Sequence, residues 1–142
     1  MAGILSIRDI MTRDVKVVRE DTSVQEVVAT MTKFDISSIV VVQKDRPIGI
    51  ITHKDILIKV LQPELLPSAL TARNVMSVGL ATIGEEASLE EAAKLMVKKR
   101  FKKLPVVQNG KLVGIITTMD IVREEPKMMT LFEDMLKYCP TR

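Results

Sequence analysis

The sequence is poor in the residues that build disulfide frameworks, metal centres and aromatic stacking surfaces. Its 142 residues include one cysteine, one histidine, one tyrosine, three phenylalanines and no tryptophan. Cys139 has no second cysteine with which to form a disulfide or a cysteine-rich zinc site, and His53 alone cannot build a metal cluster. So few aromatic rings also leave little surface for stacking single-stranded nucleic acid. We therefore expect an aliphatic core, no metal and no catalytic cofactor.

Long apolar runs and a strong charge imbalance are also missing. No segment approaches the roughly 18 consecutive apolar residues of a membrane-spanning helix, and Arg8 and Asp9 interrupt the N-terminal segment before a signal-like stretch develops. We expect a soluble, cytoplasmic protein with no membrane contact. The net charge of +3 permits an anionic ligand but falls short of the basic surface of a dedicated nucleic-acid binder.

What the sequence does contain is an internal repeat with an offset of 65 residues (88 − 23), seen when Ser88 is placed over Ser23. The register holds without a gap from Arg8/Arg73 to Ile56/Ile121, and 16 of these 49 positions are identical. The identical positions of the first copy are Arg8, Met11, Glu20, Ser23, Glu26, Met31, Lys33, Val41, Val42, Gln43, Gly49, Ile50, Ile51, Thr52, Asp55 and Ile56.

Each copy predicts the same order of elements. A short strand (15–18 or 80–83) precedes a helix that opens with Ser-x-x-Glu, at 23–26 or 88–91. Its buried face is predicted to consist of residues 24, 27, 28 and 31, or 89, 92, 93 and 96. A hairpin follows, with strands at 39–42 and 48–51 or at 104–107 and 113–116, turning at 44–47 or at Asn109-Gly110. A second helix opens with Thr-x-x-Asp, at 52–55 or 117–120, and its apolar side is residues 56, 57 and 60, or 121 and 122.

The predicted fold is therefore α/β (α+β): two β-α-β-β-α repeats packed about a pseudo-twofold axis. One repeat covers 7–60 and the other 71–125, with a proline-containing linker at 61–70. Residues 126–142 form a methionine-rich amphipathic tail with no counterpart in the repeat. Two interpretations of the tail stay open, a contact with a partner or second copy and a helix folded back on its own core.

The duplicated Gly-Ile-Ile-Thr-x-x-Asp pattern (49–55 and 114–120), with Leu-Pro-Val-Val at 104–107, resembles the CBS domain family over most of the chain. The resemblance implies a CBS pair that binds AMP, ADP, ATP or S-adenosylmethionine in clefts between the two repeats and often forms a homodimer. It also implies that Asp55 and Asp120 hold ribose hydroxyls and that Thr52 and Thr117 face phosphate.

The same resemblance assigns the rest of each site to the opposite repeat. Asp120 and Thr117 would act with Lys16, Val17, Ser37 and Ser38, and Asp55 and Thr52 with Ala81, Thr82, Lys102 and Lys103. Lys54 and Met119, inside the Thr-x-x-Asp segments, could line the pockets. If cations of the lysine-rich segment 98–103 reach the Asp55 site, that site should prefer the more highly phosphorylated ligand; a solvated charge run is the alternative, favoured for Lys98 and Lys99.

The chemistry of Thr-x-x-Asp supports two interpretations. A carboxylate can accept both hydroxyls of a ribose diol, and a threonine hydroxyl with helix N–H groups suits a phosphate. The same spacing is also a capping box that stabilises a helix start without any ligand. Its occurrence twice, within a matching repeat, favours the ligand site.

We therefore predict a ligand-sensing regulatory module that binds adenine nucleotide and passes its occupancy to a separate, unidentified protein, with an S-adenosylmethionine-binding pair as the alternative. A catalytic role is disfavoured because one histidine and one cysteine far apart supply no activated nucleophile. Nucleic-acid binding is the third hypothesis, motivated by the pI of about 9.1 and the lysine cluster.

Overall fold

The computed structural model describes residues 5–137, which divide into two compact units. Residues 16–80 form the N-terminal unit, and residues 81–137 together with 5–15 form the C-terminal unit. Each unit contains one three-stranded sheet and the helices that cover it. The mixed α+β class and the two like halves predicted from the sequence are confirmed. Within residues 5–137 every helix is too short or too polar to traverse a lipid bilayer.

The first 80 residues contain the predicted strand, helix, hairpin and helix. Their elements are α1 (Ile7–Ile10), β1 (Val17–Arg19), α2 (Val24–Lys33), β2 (Ser38–Gln43), β3 (Arg46–Thr52), α3 (His53–Ile56), a π-helical turn (Leu57–Leu61), a 3-10 turn (Pro67–Ala69) and α4 (Ala72–Val75). The two short helices, α1 and α4, and the two turns were not predicted.

The second half repeats the series and adds a C-terminal helix. Its elements are β4 (Ile83–Gly84), α5 (Leu89–Lys99), β5 (Lys103–Gln108), β6 (Lys111–Thr117), α6 (Thr118–Glu124), a 3-10 turn (Pro126–Met128) and α7 (Met129–Lys137).

The two sheets have the same topology. In each, a short first strand runs parallel to the second, which pairs antiparallel with the third through a tight hairpin. Both central residues of each hairpin turn have positive φ, Lys44 and Asp45 in one unit and Asn109 and Gly110 in the other. This is the backbone of a type I′ turn, whose twist matches the strands. The hairpins therefore form where the sequence predicts them.

The first strands are shorter than predicted. Strand pairing starts only at Val17, opposite Val40, and at Ile83, opposite Val106, so residues 15–16 and 80–82 are connecting backbone.

Two apolar positions are also more exposed than predicted. Val28 lies at the edge of the buried stripe of α2, and Leu57, predicted to be buried, is 57% exposed. The chain after α3 winds into a π-helical turn, in which Gln62 N donates to Leu57 O at 2.8 Å. A turn wider than α shifts the angular spacing of the side chains, so Leu57 faces outward while Val60 stays buried.

Each unit has its own cluster of buried apolar side chains. In the N-terminal unit α2 contributes Val24, Val27 and Met31, and the sheet contributes Ile39 and Ile51. The corresponding cluster of the C-terminal unit includes Leu89, Ala92, Ala93, Met96, Leu104 and Ile116. The predicted face of α5 is thus confirmed in full.

The tail helix α7 packs against α5 and completes the second cluster. Phe132 is fully buried and Met135 nearly so, whereas Met129 and Leu131 are about 40% exposed. Of the two interpretations of the tail, the helix folded back on its own core is the one found for Phe132 and Met135. A partner contact stays a prediction for the exposed side of this helix; residues 138–142 lie outside the described residues.

The repeats and the compact units do not share boundaries. Residues 5–15, here called the first arm, contain the start of the first repeat but pack in the C-terminal unit, and residues 70–80, the second arm, contain the start of the second repeat but pack in the N-terminal unit. The backbone contacts of the two arms correspond: Thr12 bridges Ile115, and Ser77, its twin 65 residues later, bridges Ile50.

The exchanged arms explain several of the identities between the repeats. Arg8 pairs with the buried Glu85 at 3.1 Å, and its twin Arg73 pairs with Glu20. Met11 lies over Gly114, so that a Cβ built on this glycine would be 2.5 Å from the Met11 sulfur; Met76 lies over Gly49 in the same way. Four of the identical pairs are therefore contacts between an arm and the unit that receives it: Arg8/Arg73, Glu20/Glu85, Met11/Met76 and Gly49/Gly114.

Candidate functional site

The first Thr-x-x-Asp segment forms a complete capping box at the start of α3. Thr52 Oγ1 accepts from Asp55 N at 3.2 Å, and Asp55 Oδ2 accepts from Thr52 N at 2.9 Å and from Thr52 Oγ1 at 3.1 Å. These bonds satisfy backbone donors that a helix start otherwise leaves unpaired. One carboxylate oxygen of Asp55 is therefore used within its own turn.

The other oxygen of Asp55 is used by two residues from outside that turn. Oδ1 accepts from Ser77 Oγ of the second arm at 2.9 Å and lies 3.1 Å from Lys59 Nζ. The Lys59 ammonium also donates to Val75 O at 2.9 Å and lies 3.5 Å from Ser77 Oγ. A carboxylate has about four lone-pair positions and an ammonium has three donors. Both groups are therefore saturated by partners within the N-terminal unit.

The surroundings of Asp55 act on its pKa in opposite directions. Burial, the largest effect, disfavours the charged form and would raise the pKa. The hydrogen bonds from Thr52, Lys59 and Ser77, together with the Lys59 charge, outweigh it, so the pKa of Asp55 lies below its ordinary value. The side chain is held as a carboxylate although the residue is only 8% exposed.

The second Thr-x-x-Asp segment has the same cap and fewer other contacts. Asp120 Oδ2 accepts from Thr117 N at 2.9 Å, and Asp120 N donates to Thr117 Oγ1 at 3.1 Å. Oδ1 lies 3.6 Å from Nη1 of Arg123, a side chain that is 70% exposed. This distance exceeds a hydrogen bond, so Asp120 Oδ1 keeps acceptor capacity that Asp55 Oδ1 has lost.

The two aspartates differ in their contacts, and the residues aligned with Lys59 and Ser77 differ between the repeats. The twin of Lys59 is Glu124 and the twin of Ser77 is Thr12. A carboxylate at 124 cannot donate to Asp120, so the second copy lacks the lysine that holds Asp55. Asp120 forms its ion pair with Arg123 instead, at 3.6 Å.

Several predicted site residues lie beside the capping boxes of their own units. Ser38 pairs with Thr52 across β2 and β3, and Ser37 O accepts from His53 N at 3.2 Å. Lys103 pairs with Thr117 across β5 and β6, and Lys102 O accepts from Thr118 N at 2.9 Å. The start of each hairpin is thus fixed next to the Thr-x-x-Asp segment of the same repeat.

The remaining predicted residues lie at the first strands, in the loops before them, and on α3 and α6. Val17 begins β1 and Lys16 precedes it; the Lys16 ammonium lies 4.5 Å from the centre of the Phe34 ring. The others are Ala81 and Thr82, which precede β4, and Lys54 and Met119, which are exposed on α3 and α6. The combinations of residues from opposite repeats stay a prediction.

Burial lowers the pKa of the Lys103 ammonium, whereas Lys102 is exposed. Lys98 and Lys99 are exposed in the last turn of α5, where cations are favoured by the helix dipole.

Sequence reasoning missed Lys59 and Ser77. The i, i+4 spacing of Asp55 and Lys59 on a helix was the available signal for the first. Ser77 lies in the second arm, and only the folded chain shows that this arm returns to α3.

Comparison with known proteins agrees with this architecture. A model of the CBS domain matches the chain twice, over residues 7–62 and 72–127. An uncharacterised protein of Methanopyrus kandleri is 38% identical over 135 residues, which cover 94% of this chain and 69% of its own length.

Two solved structures have the same fold. The crystal structure of Hypoxic Response Protein I with two coordinated zinc ions is 31% identical, with a TM-score of 0.77 over 84% of this chain and 98% of that chain. A hexameric CBS-CP12 protein from bloom-forming cyanobacteria is 28% identical, with a TM-score of 0.72 over 84% of this chain and 67% of that chain. Across residues 5–137 of this chain, no three His, Cys, Asp or Glu side chains come together as a metal site.

The two matches to the family model, the repeated sheets and the relatives lead to one conclusion: the chain belongs to the CBS domain family and contains two CBS domains in tandem.

Proposed function

We propose that this protein is a regulatory module that binds an adenine nucleotide, AMP, ADP or ATP, and passes its occupancy to another protein. CBS domains typically bind adenine nucleotides as ligands. The proposal places ribose at the Thr-x-x-Asp segments and has no catalytic step.

The observation that carries the proposal is the state of Asp120. Its cap occupies Oδ2, and within residues 5–137 the contact of Oδ1 is with the guanidinium of Arg123, at 3.6 Å. A carboxylate with a vacant acceptor position can bind a ribose hydroxyl through a charge-assisted hydrogen bond.

Phosphate groups distinguish the adenine nucleotides from S-adenosylmethionine, the alternative ligand. The sequence prediction places Lys16 with Asp120, and Lys102 and Lys103 with Asp55. A cation at either site favours a ligand with phosphates over one that carries a positive sulfonium. The nucleotides are therefore our first choice.

A conformational or oligomeric response needs only that the ligand prefer one state of the protein over another. We propose that the protein acts as a homodimer; a relative with the same fold, the CBS-CP12 protein, is hexameric. Residues 57–66 expose five large apolar side chains, here called the apolar ridge: Leu57, Ile58, Leu61, Leu65 and Leu66. Concentrated apolar exposure of this kind marks interaction surfaces.

The proposal is tested by calorimetric titration of the full chain with AMP, ADP, ATP and S-adenosylmethionine. We expect saturable binding of at least one nucleotide and a loss of at least about tenfold in affinity in Asp120→Asn. The asparagine preserves the cap, because Asn74 already closes the capping box of α4 with its side-chain oxygen 2.8 Å from Thr71 N.

Absence of binding at about 1 mM ligand would overturn the proposal, and binding of S-adenosylmethionine alone would replace it with the alternative. Incubation of concentrated protein with ATP should show no hydrolysis. Tight DNA or RNA retention that falls steeply with salt, without nucleotide binding, would favour the nucleic-acid hypothesis instead.

A further inference from the structure

We propose that Lys59 and Ser77 use up the free acceptor positions of the Asp55 carboxylate with their own hydrogen bonds. The chain therefore binds one nucleotide, at Asp120, and none at Asp55. This inference rests on the proposed function and assigns a role to two residues outside the Thr-x-x-Asp pattern. It makes Asp55 a structural residue and Lys59 the determinant of how many ligands bind.

The hydrogen bonds of Asp55 leave no position for a ribose diol. Thr52 supplies two donors to Oδ2, and Ser77 and Lys59 supply one each to Oδ1, all between 2.9 and 3.1 Å. A hydroxyl could bind only by displacing one of these donors. Displacing Lys59 would leave its ammonium without its carboxylate partner and would break a charge-assisted bond.

Lys59 is itself fixed by more than the Asp55 charge. Its ammonium donates to the backbone carbonyl of Val75 at 2.9 Å, at the end of α4, and its side chain is 38% exposed. The second arm is in turn fixed to β3, because Ser77 and Ile50 exchange two backbone hydrogen bonds of 2.8 and 3.0 Å. Asp55, Lys59 and Ser77 therefore tie α3, the π-helical turn and the second arm together.

The second repeat differs from the first at two of the positions that form this tie. Glu124 stands where the first repeat has Lys59, and Thr12 stands where it has Ser77. The pair of differences suggests an exchange experiment in which each repeat receives the residues of the other.

The experiment measures the number of AMP or ATP molecules bound per full chain by calorimetry. Wild type is expected to bind one. Lys59→Met with Ser77→Ala removes the donors without adding bulk and should raise the number to two, and adding Asp120→Asn should return it to one. Lys94→Met is the matched control, because Lys94 forms an exposed i, i+4 pair with Glu90; it should leave the number at one.

The reciprocal exchange distinguishes a specific effect on the site from a general loss of stability in the variant. Glu124→Lys with Thr12→Ser places the first repeat's residues beside Asp120 and should abolish binding, while circular dichroism shows a folded chain. Two nucleotides on wild type, or one on the folded Lys59→Met/Ser77→Ala variant, would overturn this inference and leave the proposed function standing. No nucleotide on wild type would overturn both.

Discussion

At the scale of the residue, the acceptor positions of the Asp55 carboxylate are all filled by donors from its own unit. Its burial alone would favour the protonated acid, yet four donors hold it as the anion. The stability of the N-terminal unit should therefore depend on pH through this side chain.

We predict that Asp55→Asn lowers the free energy of unfolding at neutral pH by about 2 kcal/mol, since hydrogen bonds to a charged group are lost. Folding lowers the pKa of Asp55, so its stabilising contribution is present above the ordinary carboxyl value of about 4 and disappears as the pH falls through the folded value. The difference between wild type and variant should shrink on acidification from about pH 5 to about pH 2. Urea denaturation across this range measures it.

Asp120→Asn is the matched control, because it conserves the cap and loses an ion pair of 3.6 Å with an exposed arginine. We expect a cost below about 1 kcal/mol at neutral pH. Equal losses in the two variants would contradict the different roles assigned to the two aspartates.

At the scale of the element, the arms are held by close contacts that a single methyl group should disturb. In Gly114→Ala the added Cβ would be 2.5 Å from the Met11 sulfur and 3.0 Å from Thr12 O. We predict a destabilisation of about 1–3 kcal/mol, with the double variant Gly114→Ala/Met11→Ala losing less than the sum of the single variants. Thermal or urea unfolding measures each cost.

Gly84→Ala is the control for this prediction. Gly84 lies in the same unit, and a Cβ built there meets no atom within 4 Å. A similar loss of stability at both glycines would show that the cost comes from glycine replacement in general and not from the arm.

The tail helix gives a second prediction at this scale. Phe132→Ala should destabilise the protein by about 3–5 kcal/mol, because the ring is fully buried in the core of the C-terminal unit. Leu131→Ala, at a neighbouring residue that is 42% exposed, should cost less than about 1 kcal/mol. Guanidinium denaturation compares the two, and a larger effect at Leu131 would contradict the packing of α7.

The elements were predictable from the sequence to the extent that local patterns determine them. The hairpins follow from turn residues and β-branched runs, and the helix starts follow from serine and threonine caps. The π-helical turn and the short β1 and β4 were not predictable, because they depend on pairing partners elsewhere in the chain. For the same reason the sequence identified Asp55 and Thr52 but not the Ser77 hydroxyl, which reaches α3 from the second arm.

At the scale of the whole molecule, the prediction concerns self-association. If the apolar ridge forms the homodimer contact, Ile58→Asp with Leu61→Asp should halve the mass measured by light scattering, from twice 15.9 kDa to 15.9 kDa. The charges would have to be buried without partners in such an interface. Val78→Asp is the control, because Val78 is equally apolar, 73% exposed and outside the ridge; dimers in both variants would contradict this contact.

The crossing of the arms has a consequence for how such a protein could arise by gene duplication. In two separate ancestral copies, the sheet that receives each leading segment would have belonged to the other chain, so the two chains would have exchanged these segments. Fusion of the two genes would then have joined two chains that already associated. If the gene is divided at residue 70, each half should accordingly require the other half to fold. A fragment of residues 16–80 instead contains the whole buried apolar cluster of the N-terminal unit in one continuous segment.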